Sequence, residues 1–592
     1  MERTMKKLAY LTVVLAALFA PSGCDTLDIE NIYDYNADLV WDDEKLVEAY
    51  MANVYANVFG NWSPALDQKT QQLSGIHFYA DRVTITNSEY KFWDYTTIRL
   101  INEAIVNVGN SSLEQDFKDN ITGQARFLRA YLYFNMVVYH GGVPYITVPQ
   151  DKDTDDLYVK RNSTEECFGF LIGDLDEAIK LLPEKISATS ADYGKIDGCF
   201  ATAFKAKALL YKASPQFNPG NPWDNAWWEE ACTANKTAYD KLAGLGYALT
   251  ADYDDIFFVE RGPEVVFSVI NTYPNKTAGW DYGVRPGSES RGNASVCPTW
   301  EFVKEFPMKD GKLYNDPTGK YYKTDDEFLQ SYWENRDPRF GKSIVWNASV
   351  YEVSNKKGNR QYTSLGIADV LDDFGVNPAA NINSTNLDRY SGFFIRKASD
   401  LSLLQSEVQQ YDVDFIVMRF AEVMLNYAET ANETGKTEEA LAVLKAIRER
   451  AGIEPGVDGK YGITAVSREE VREAILAERN IEFCFEGNYF WDLRRLRMLD
   501  RLDGRTKHGV EAIAINPDGS EMPISEAKAR AANNELTEKD FNYLIWQIPF
   551  TGVKVTSVPD KYYFFPIQQE TISLNGQIEQ NKDWGGTFDP SL

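Results

Sequence analysis

Histidine, the side chain that most often serves as a metal ligand or a general base, is scarce in this sequence. The 592 residues include only three histidines, His77, His140 and His508, which lie far apart in the chain. The patterns HExxH, GxSxG, GxGxxG and the P-loop do not occur, so the common protease, hydrolase and nucleotide-binding signatures find no match. A glycosidase carboxylate pair stays possible, because 88 acidic residues are present. We expect no catalytic residues, no cofactor and no bound metal.

Cysteine is also sparse, and its spacing does not suggest a disulfide framework or a zinc site. Apart from Cys24 there are five cysteines, an odd number, and no two form a CxxC pair. Several fall among apolar residues in helical patterns, where a free cysteine behaves as a small hydrophobic side chain. We therefore predict buried side chains at Cys167, Cys199, Cys232, Cys297 and Cys484.

Positive charge is in deficit, with 61 lysines and arginines against 88 acidic residues and a net charge of -27. Nucleic-acid binding needs a basic surface, so this balance argues against a nucleic-acid partner. One acidic stretch, residues 151–162, begins like a calcium loop, but it has Asp156 where glycine is needed and Asn162 where glutamate is needed. We interpret it as a solvated loop, with a weak calcium site as the alternative.

Long apolar segments are missing except near the N-terminus. Basic residues, Arg3 among them, precede a mostly apolar run at 8–20, and small residues then lead to Cys24. This order is typical of a secretory signal peptide, and the run is too short to span the roughly 30 Å core of a bilayer. It predicts a bacterial lipoprotein, cleaved after residue 23 and anchored by acylation of Cys24. An ordinary signal peptide with a chance cysteine is the alternative, since Pro21 stands where leucine is usual.

Helical periodicity is the main feature that the chain does have. Ser163 with Glu166 and Ser467 with Glu470 form capping-box patterns, each just ahead of apolar residues at helical spacing. Residues 125–139 are apolar nearly all round, which indicates a buried helix. These patterns predict a mainly α protein.

A tetratricopeptide-like hairpin is indicated at residues 421–452. Small residues let two helices approach closely, and a glycine makes the turn between them. Helix pairs at about 94–140 and 165–214 are predicted to stack in the same way. The small–Gly–small–large spacing of the hairpin is carried by Ala428, Gly435, Ala440 and Leu444.

Residues 245–415 have a different character. They are rich in glycine, proline, asparagine and aspartate, with short strand-like runs such as EVVFSVI at 264–270. Long irregular inserts in a compact fold are usually functional or disordered. Aromatic residues are frequent here and reach 13% of the chain. Because an aromatic ring can stack on the apolar face of a sugar, we predict an ordered, functional lobe.

Six stretches, in order, resemble blocks of the SusD/RagB family, the surface nutrient-binding lipoproteins of Bacteroidetes. The resemblance extends over essentially all of residues 24–592, with departures such as Tyr489 where arginine is usual. The stretches are RFLRAYLYFNMVVYHGGVPYI (126–146), RNSTEECFGFLIGDLDEAIKLLP (161–183), NRDPRF (335–340), RFAEVMLNYAETANETG (419–435), IEFCFEGNYFWDLRR (481–495) and FPIQQETISLNGQIEQN (565–581).

The resemblance implies a mainly α fold, in which a superhelix of tetratricopeptide-like helix pairs carries a large irregular lobe. A signal peptide would precede a single domain. The expected boundaries are 1–23 for the signal peptide, 24–592 for the domain, about 40–245 and 415–500 for the scaffold, about 245–415 for the ligand-binding lobe and 500–592 for a C-terminal segment.

The resemblance also implies a function. Family members lie on the outer face of the outer membrane as a lid over a TonB-dependent, SusC-like transporter. They capture glycans, or sometimes peptides, and are not enzymes. We expect a lipid-anchored, surface-exposed protein that captures a glycan and delivers it to such a transporter. A peptide-binding lipoprotein of the same architecture is the alternative, and a secreted glycosidase is a third hypothesis.

The ligand site is predicted in the irregular inserts, because the family blocks look structural. The first candidate segment, residues 271–292, offers rings for stacking and guanidinium groups for hydrogen bonds: Tyr273, Trp280, Tyr282, Arg285 and Arg291. The opposing interpretation is that Trp280 and Tyr282 pack beneath their own loop. The second candidate is the pair of loops at 59–67 and 77–90, which contribute Trp62, Tyr79 and Arg82.

Overall fold

The computed structural model describes residues 40–74, 83–290, 292, 296–368, 390–548 and 557–592. The predicted signal peptide and Cys24 lie outside these residues. The first part of the described chain forms the predicted helix pairs, in which each helix packs against the next. Its helices are α1 (Glu44–Val58), α2 (Tyr95–Asn110), α3 (Gln115–His140), α4 (Thr164–Leu181), α5 (Gly198–Ala213) and α6 (Trp227–Gly244).

Local sequence signals set the starts of the helices. Ahead of α4, the Ser163 Oγ accepts the Glu166 backbone N–H at 3.1 Å, and the Glu166 carboxylate accepts the Ser163 N–H at 2.9 Å. The same reciprocal bonds join Ser467 and Glu470 ahead of a later helix. Both predicted capping boxes are confirmed, and each satisfies backbone donors that a helix N-terminus would otherwise leave free.

The irregular lobe follows, built from short helices and two-stranded antiparallel ribbons. Strand β1 confirms the predicted strand at 264–270. Strand β1 pairs with β6, β2 with β5 and β3 with β4. The elements are α7 (Asp255–Phe258), β1 (Val265–Val269), α8 (Trp280–Val284), α9 (Trp300–Glu305), α10 (Asp325–Leu329), α11 (Pro338–Ser343), β2 (Ile344–Trp346), β3 (Ser349–Val350), β4 (Arg360–Gln361), β5 (Phe393–Ile395) and β6 (Phe415–Arg419).

Strand β6 runs directly into the second half of the helical scaffold. The predicted tetratricopeptide hairpin is confirmed as α12 and α13, with Gly435 in the turn at φ +78°, a left-handed conformation that suits glycine. In the described part of the chain, no helix is long and apolar enough to cross a membrane. The remaining elements are α12 (Phe420–Glu433), α13 (Thr437–Ala451), α14 (Arg468–Glu482), α15 (Asn488–Arg495), β7 (His508–Ala514), α16 (Ile524–Ala532), β8 (Phe541–Gln547) and α17 (Gln569–Leu574).

Two large apolar cores fill the molecule. The scaffold core collects buried side chains from α1–α6 and α12–α15, whereas the lobe core joins residues 253–411 to the β7–β8 hairpin. The chain after residue 500 divides between them, because β7–β8 packs in the lobe and residues 562–565 pack in the scaffold. The prediction for the cysteines is confirmed. The side chains that are buried and form no disulfide within the described residues are Cys167, Cys199, Cys232, Cys297 and Cys484.

A buried network of charges joins the lobe to the scaffold where β6 meets α12. Arg419 donates to Glu264 Oε1 and Glu482 Oε1 at 2.7 Å each, and to Glu486 Oε2 at 3.0 Å. Arg339, from α11 of the lobe, donates to the Glu482 carboxylate at 2.9 Å. Buried ion pairs need several such bonds to offset their lost hydration. Here the bonds fix the lobe, and the loops that it carries, on the scaffold.

Candidate ligand-binding site

The first candidate segment begins with a tight turn that presents Tyr273 to solvent. Thr272 and Lys276 exchange backbone hydrogen bonds at 2.8 and 2.9 Å, which close the turn. Asp412 accepts the Tyr273 N–H at 3.0 Å, and Asp414 accepts the N–H two residues earlier at 3.0 Å. The Tyr273 side chain is 51% exposed, so this braced turn holds an aromatic ring where a ligand can reach it.

Trp280 does not have the predicted role, because it lies in the lobe core and is only 2% exposed. Its indole N–H donates to the Lys397 carbonyl at 2.9 Å, and its ring packs against Trp62 with the centroids 5.2 Å apart. Helix α8 begins at this residue and turns the side chain inward. Trp280 is therefore buried, as the opposing interpretation expected, but its partners Trp62 and Lys397 come from other parts of the chain rather than from its own loop.

The prediction for Arg285 is also corrected, because its side chain is 0% exposed. The guanidinium forms a salt bridge with Asp281 at 2.7 Å and donates to the carbonyl oxygens of Leu403, at 2.9 Å, and Asp400. Burial raises the pKa of Asp281 to about 7, although Arg285 lowers it. The donors of Arg285 are thus used inside the protein, where they tie the segment to residues 400–403.

Tyr282 keeps its accessibility and is 43% exposed. It lies two positions after Trp280 in α8, and residues two apart point to different sides of a helix. A Cβ on Gly292 would lie 2.4 Å from the Tyr282 carbonyl oxygen, so glycine is needed for the chain to pass this close. The neighbouring Arg291 lies outside the described residues.

The second candidate loop meets the first in space. Asn61 and Asn271 exchange side-chain hydrogen bonds at 3.2 Å. The indole N–H of Trp62 donates to the Val413 carbonyl at 3.3 Å. Trp62 itself is half-buried against Trp280. Val413 lies just ahead of strand β6, between the two aspartates that hold the Tyr273 turn. These contacts therefore bring the starts of both candidate segments together beside that turn.

The same two parts of the chain join again further along. The Ser74 N–H donates to the Cys297 carbonyl at 2.7 Å, and the Cys297 N–H donates to the Ser74 Oγ at 2.9 Å. Tyr79 and Arg82, which follow in the second candidate, lie outside the described residues. The sequence presented the two loops as alternatives, and the tertiary structure makes them neighbours.

A cavity that sequence reasoning missed opens beside the Tyr273 turn. It has a volume of about 430 Å³ and is lined mainly by apolar side chains of α1 and β1, together with Lys195 and Lys276. Tyr55, another lining residue, donates to Gln124 Oε1 at 2.8 Å and accepts a backbone N–H at 2.9 Å. No linear pattern indicates this cavity, because its walls come from four separate parts of the chain.

The acidic part of the loop at 151–162, residues 151–158, is exposed, as the sequence predicts, whereas Arg161 near its end is buried. Its aspartates bind their own backbone: Asp155 accepts the Asp151 N–H at 2.7 Å, and Asp151 accepts the Asp153 N–H at 2.7 Å. Among the residues that the structure describes, no group of three or more histidine, cysteine, aspartate or glutamate side chains is arranged to hold a metal ion. The described geometry therefore adds nothing to the calcium alternative.

Fold and site together define a helical-repeat protein that presents exposed tyrosines on an irregular lobe. The model of the SusD family matches residues 263–584, and a second model, described as starch-binding associating with outer membrane, matches residues 27–195. The chain therefore belongs to the SusD family. This confirms the resemblance drawn from the six sequence blocks.

Relatives and solved structures agree with this assignment. SusD-like protein P38 of Formosa agariphila is 24% identical over 435 residues, which are 69% of this chain and 73% of the relative. A SusD-like protein of Bacteroides fragilis has a TM-score of 0.71 at 23% identity and covers 92% of this chain and 98% of its own. A SusD-like carbohydrate-binding protein of that species has a TM-score of 0.69 at 20% identity, with 91% and 99% covered. The predicted mainly α fold is confirmed.

Proposed function

We propose that this protein captures a glycan at the cell surface by stacking sugar rings on aromatic side chains, without breaking a bond. The observation that carries the proposal is a pair of half-exposed tyrosines, Tyr273 and Tyr282, on one braced segment of a SusD-family chain. A sugar offers apolar C–H faces and polar hydroxyls, and a tyrosine ring with its polar tip suits both. The fold relative that is described as carbohydrate binding supports the same ligand class.

The proposed binding face lies where the two candidate loops meet, on the lobe at about 245–415. Trp280 and Arg285 support it from inside the protein and make no ligand contact. Asp412 and Asp414 hold the turn that carries its first tyrosine. The residues proposed to contact the glycan are Tyr273, Tyr282, Trp62, Tyr79, Arg82 and Arg291.

The proposed location is the outer membrane, with a lipid on Cys24 and delivery of the glycan to a TonB-dependent, SusC-like transporter. The family description of outer-membrane association supports the location, and the signal-peptide pattern supports the lipid. A Cys24→Ser protein should take up no radiolabelled palmitate and leave the membrane fraction. Continued labelling of that variant would contradict the anchor.

The test is calorimetric titration of the mature chain, without its lipid, against a panel of polysaccharides and peptides. We expect binding to a glycan, and we expect the Tyr273→Ala/Tyr282→Ala double variant to bind about tenfold or more weakly, because two stacking surfaces are lost. The matched control is Tyr322→Ala, which removes an exposed tyrosine from another part of the lobe.

The outcomes separate the hypotheses. Glycan binding that survives the double variant, with folding intact, would remove the two tyrosines from the site. Binding to peptides alone would favour the peptide-binding alternative. Release of new reducing ends from a bound glycan would instead indicate a glycosidase, which needs two carboxyl groups about 5–9.5 Å apart.

A further inference from the structure

A second cavity lies between the lobe and the scaffold, apart from the proposed binding face. Its walls come from α9, α14, residues 313–315 and residues 489–505, and none of its lining residues belongs to the 271–292 segment. Its volume of about 430 Å³ falls within the roughly 300–1,000 Å³ of small-molecule sites. Six charged side chains line it: Glu301, Lys304, Glu305, Glu473, Arg501 and Arg505.

Part of this charge is already paired. Arg501 donates to both oxygens of Glu473 at 2.7 Å. Glu301 Oε1 lies 2.6 Å from the His508 Nδ1, and Glu301 Oε2 accepts the His508 backbone N–H at 2.9 Å. The two glutamates are thus held by neighbours at the edges of the cavity. The charged lining groups that remain to face a ligand are Lys304, Glu305 and Arg505.

Lys304 and Arg505 are the two cations left over, since neither forms a hydrogen bond or salt bridge within the described residues. Glu305 accepts a hydrogen bond from Asn480. Burial raises the pKa of Glu305 to about 7, while Arg505 and Arg501 lower it and Glu301 raises it. Near neutral pH its carboxyl group is therefore partly protonated and repels a bound anion less.

Lys304 and Arg505 thus supply local positive charge in a chain whose net charge is -27. The walls around it are also suited to a sugar ring, because they include the exposed Leu313, the half-buried Tyr489 and the Asn315 amide. A guanidinium presents donors in a planar fork that matches a carboxylate, and an ammonium adds a second charge-assisted bond.

We propose that this cavity is a second binding site, which takes a carboxylate-bearing sugar unit of the hexuronate class. Arg505 and Lys304 bind the carboxylate, Glu305 and Asn315 bind ring hydroxyls, and Tyr489 and Leu313 cover the apolar face. The choice of a sugar rests on the proposed glycan-binding function, whereas the choice of a carboxylate rests on the unpaired cations of the cavity.

The test is calorimetric titration of the protein with galacturonate trisaccharide, with neutral galactotriose and with a sulfated galactose. We expect the uronate to bind, the neutral sugar not to bind at this cavity, and Arg505→Ala and Lys304→Ala each to weaken uronate binding about tenfold. Lys528→Ala is the matched control, because it removes an exposed positive charge on α16 and should leave the affinity unchanged. Circular dichroism checks that each variant is folded.

Three results would overturn the proposal: no heat with the uronate, equal affinity in Arg505→Ala, or binding of the sulfated sugar alone. Repeating the titration in the Tyr273→Ala/Tyr282→Ala protein separates the two sites. If uronate binding disappears in the double tyrosine variant and persists in Arg505→Ala, the uronate binds at the tyrosine face and the second site is contradicted. Uronate binding that persists in the double tyrosine variant and disappears in Arg505→Ala supports the cavity, whatever becomes of the tyrosine face.

Discussion

At the residue scale, the proposed face depends on two carboxylates that accept hydrogen bonds from backbone N–H groups. Asp412 and Asp414 accept N–H groups of the turn that carries Tyr273, so they fix the ring without touching a ligand. Asp414 is the more informative of the two. Burial raises its pKa to about 6, while the hydrogen bond from Asn271 lowers it.

The raised pKa of Asp414 predicts a pH-dependent stability. Between its ordinary pKa of 3.8 and its folded pKa of about 6, the folded protein holds a proton that the unfolded chain has released. This contribution to the free energy of unfolding therefore falls as the pH rises from about 4 to 6. Between pH 4 and pH 7, the free energy of unfolding of the wild type should fall by about 1–2 kcal/mol relative to that of Asp414→Asn, a figure that allows for the partial solvent exposure of the group.

Urea denaturation of both proteins at several pH values checks this prediction. The difference between the two proteins is the quantity to compare, because other buried acids titrate equally in both. Asp240→Asn, which alters an exposed pair with Lys236, should track the wild type across the range. A constant difference between wild type and Asp414→Asn would show that Asp414 titrates normally.

At the element scale, helix ends and close chain crossings shape the scaffold on which the lobe rests. The turn after α3 passes the start of α4 so closely that a Cβ on Gly142 would lie 2.1 Å from the Asn162 carbonyl oxygen. The Gly142 N–H donates to Thr164 Oγ1 at 2.7 Å. This crossing locks the first two helix pairs together.

Gly142→Ala should therefore destabilise the protein strongly, by about 3 kcal/mol or more, because backbone atoms cannot move aside as a side chain can. The matched control is Gly169→Ala in α4, where an added Cβ meets nothing within 4 Å. That change should stabilise by about 0.5–1 kcal/mol, since alanine is the better helix former. Thermal unfolding of the two variants checks the contrast, and similar melting temperatures would contradict it.

At the scale of the whole molecule, the charge network at the β6–α12 junction decides how the lobe sits on the scaffold. Glu482 is its centre, with salt bridges to Arg339 at 2.9 Å, to Arg419 at 2.7 Å and to Arg450. Burial raises the pKa of Glu482, but the three arginines outweigh this effect. Arg450, Arg419 and Arg339 together hold that pKa well below its ordinary range. The carboxylate therefore stabilises the fold at neutral pH, and this contribution is lost as the pH falls below about 4.5.

Glu482→Gln should cost about 3–5 kcal/mol of unfolding free energy, because it leaves three buried arginines with too little negative charge. Asp240→Asn, the exposed control, should cost less than about 1 kcal/mol. Denaturant unfolding measures both at pH 7. Equal small losses would mean that the network contributes little to the junction.

The sequence by itself determined the family, the mainly α fold, both capping boxes, the tetratricopeptide hairpin and the burial of the cysteines. These features depend on residues a few positions apart, so a local pattern is enough to indicate them. The sequence also placed Tyr273 and Tyr282 among the candidate residues, and both side chains are exposed.

Only the tertiary structure decided which of the candidate side chains are accessible. Trp280 and Arg285 are buried because Trp62, Lys397 and Asp400 reach them from distant parts of the chain. The same long-range contacts make the two candidate loops neighbours and form the two cavities. Composition and periodicity do not predict such contacts, because the burial of a residue depends on which distant parts of the fold pack against it.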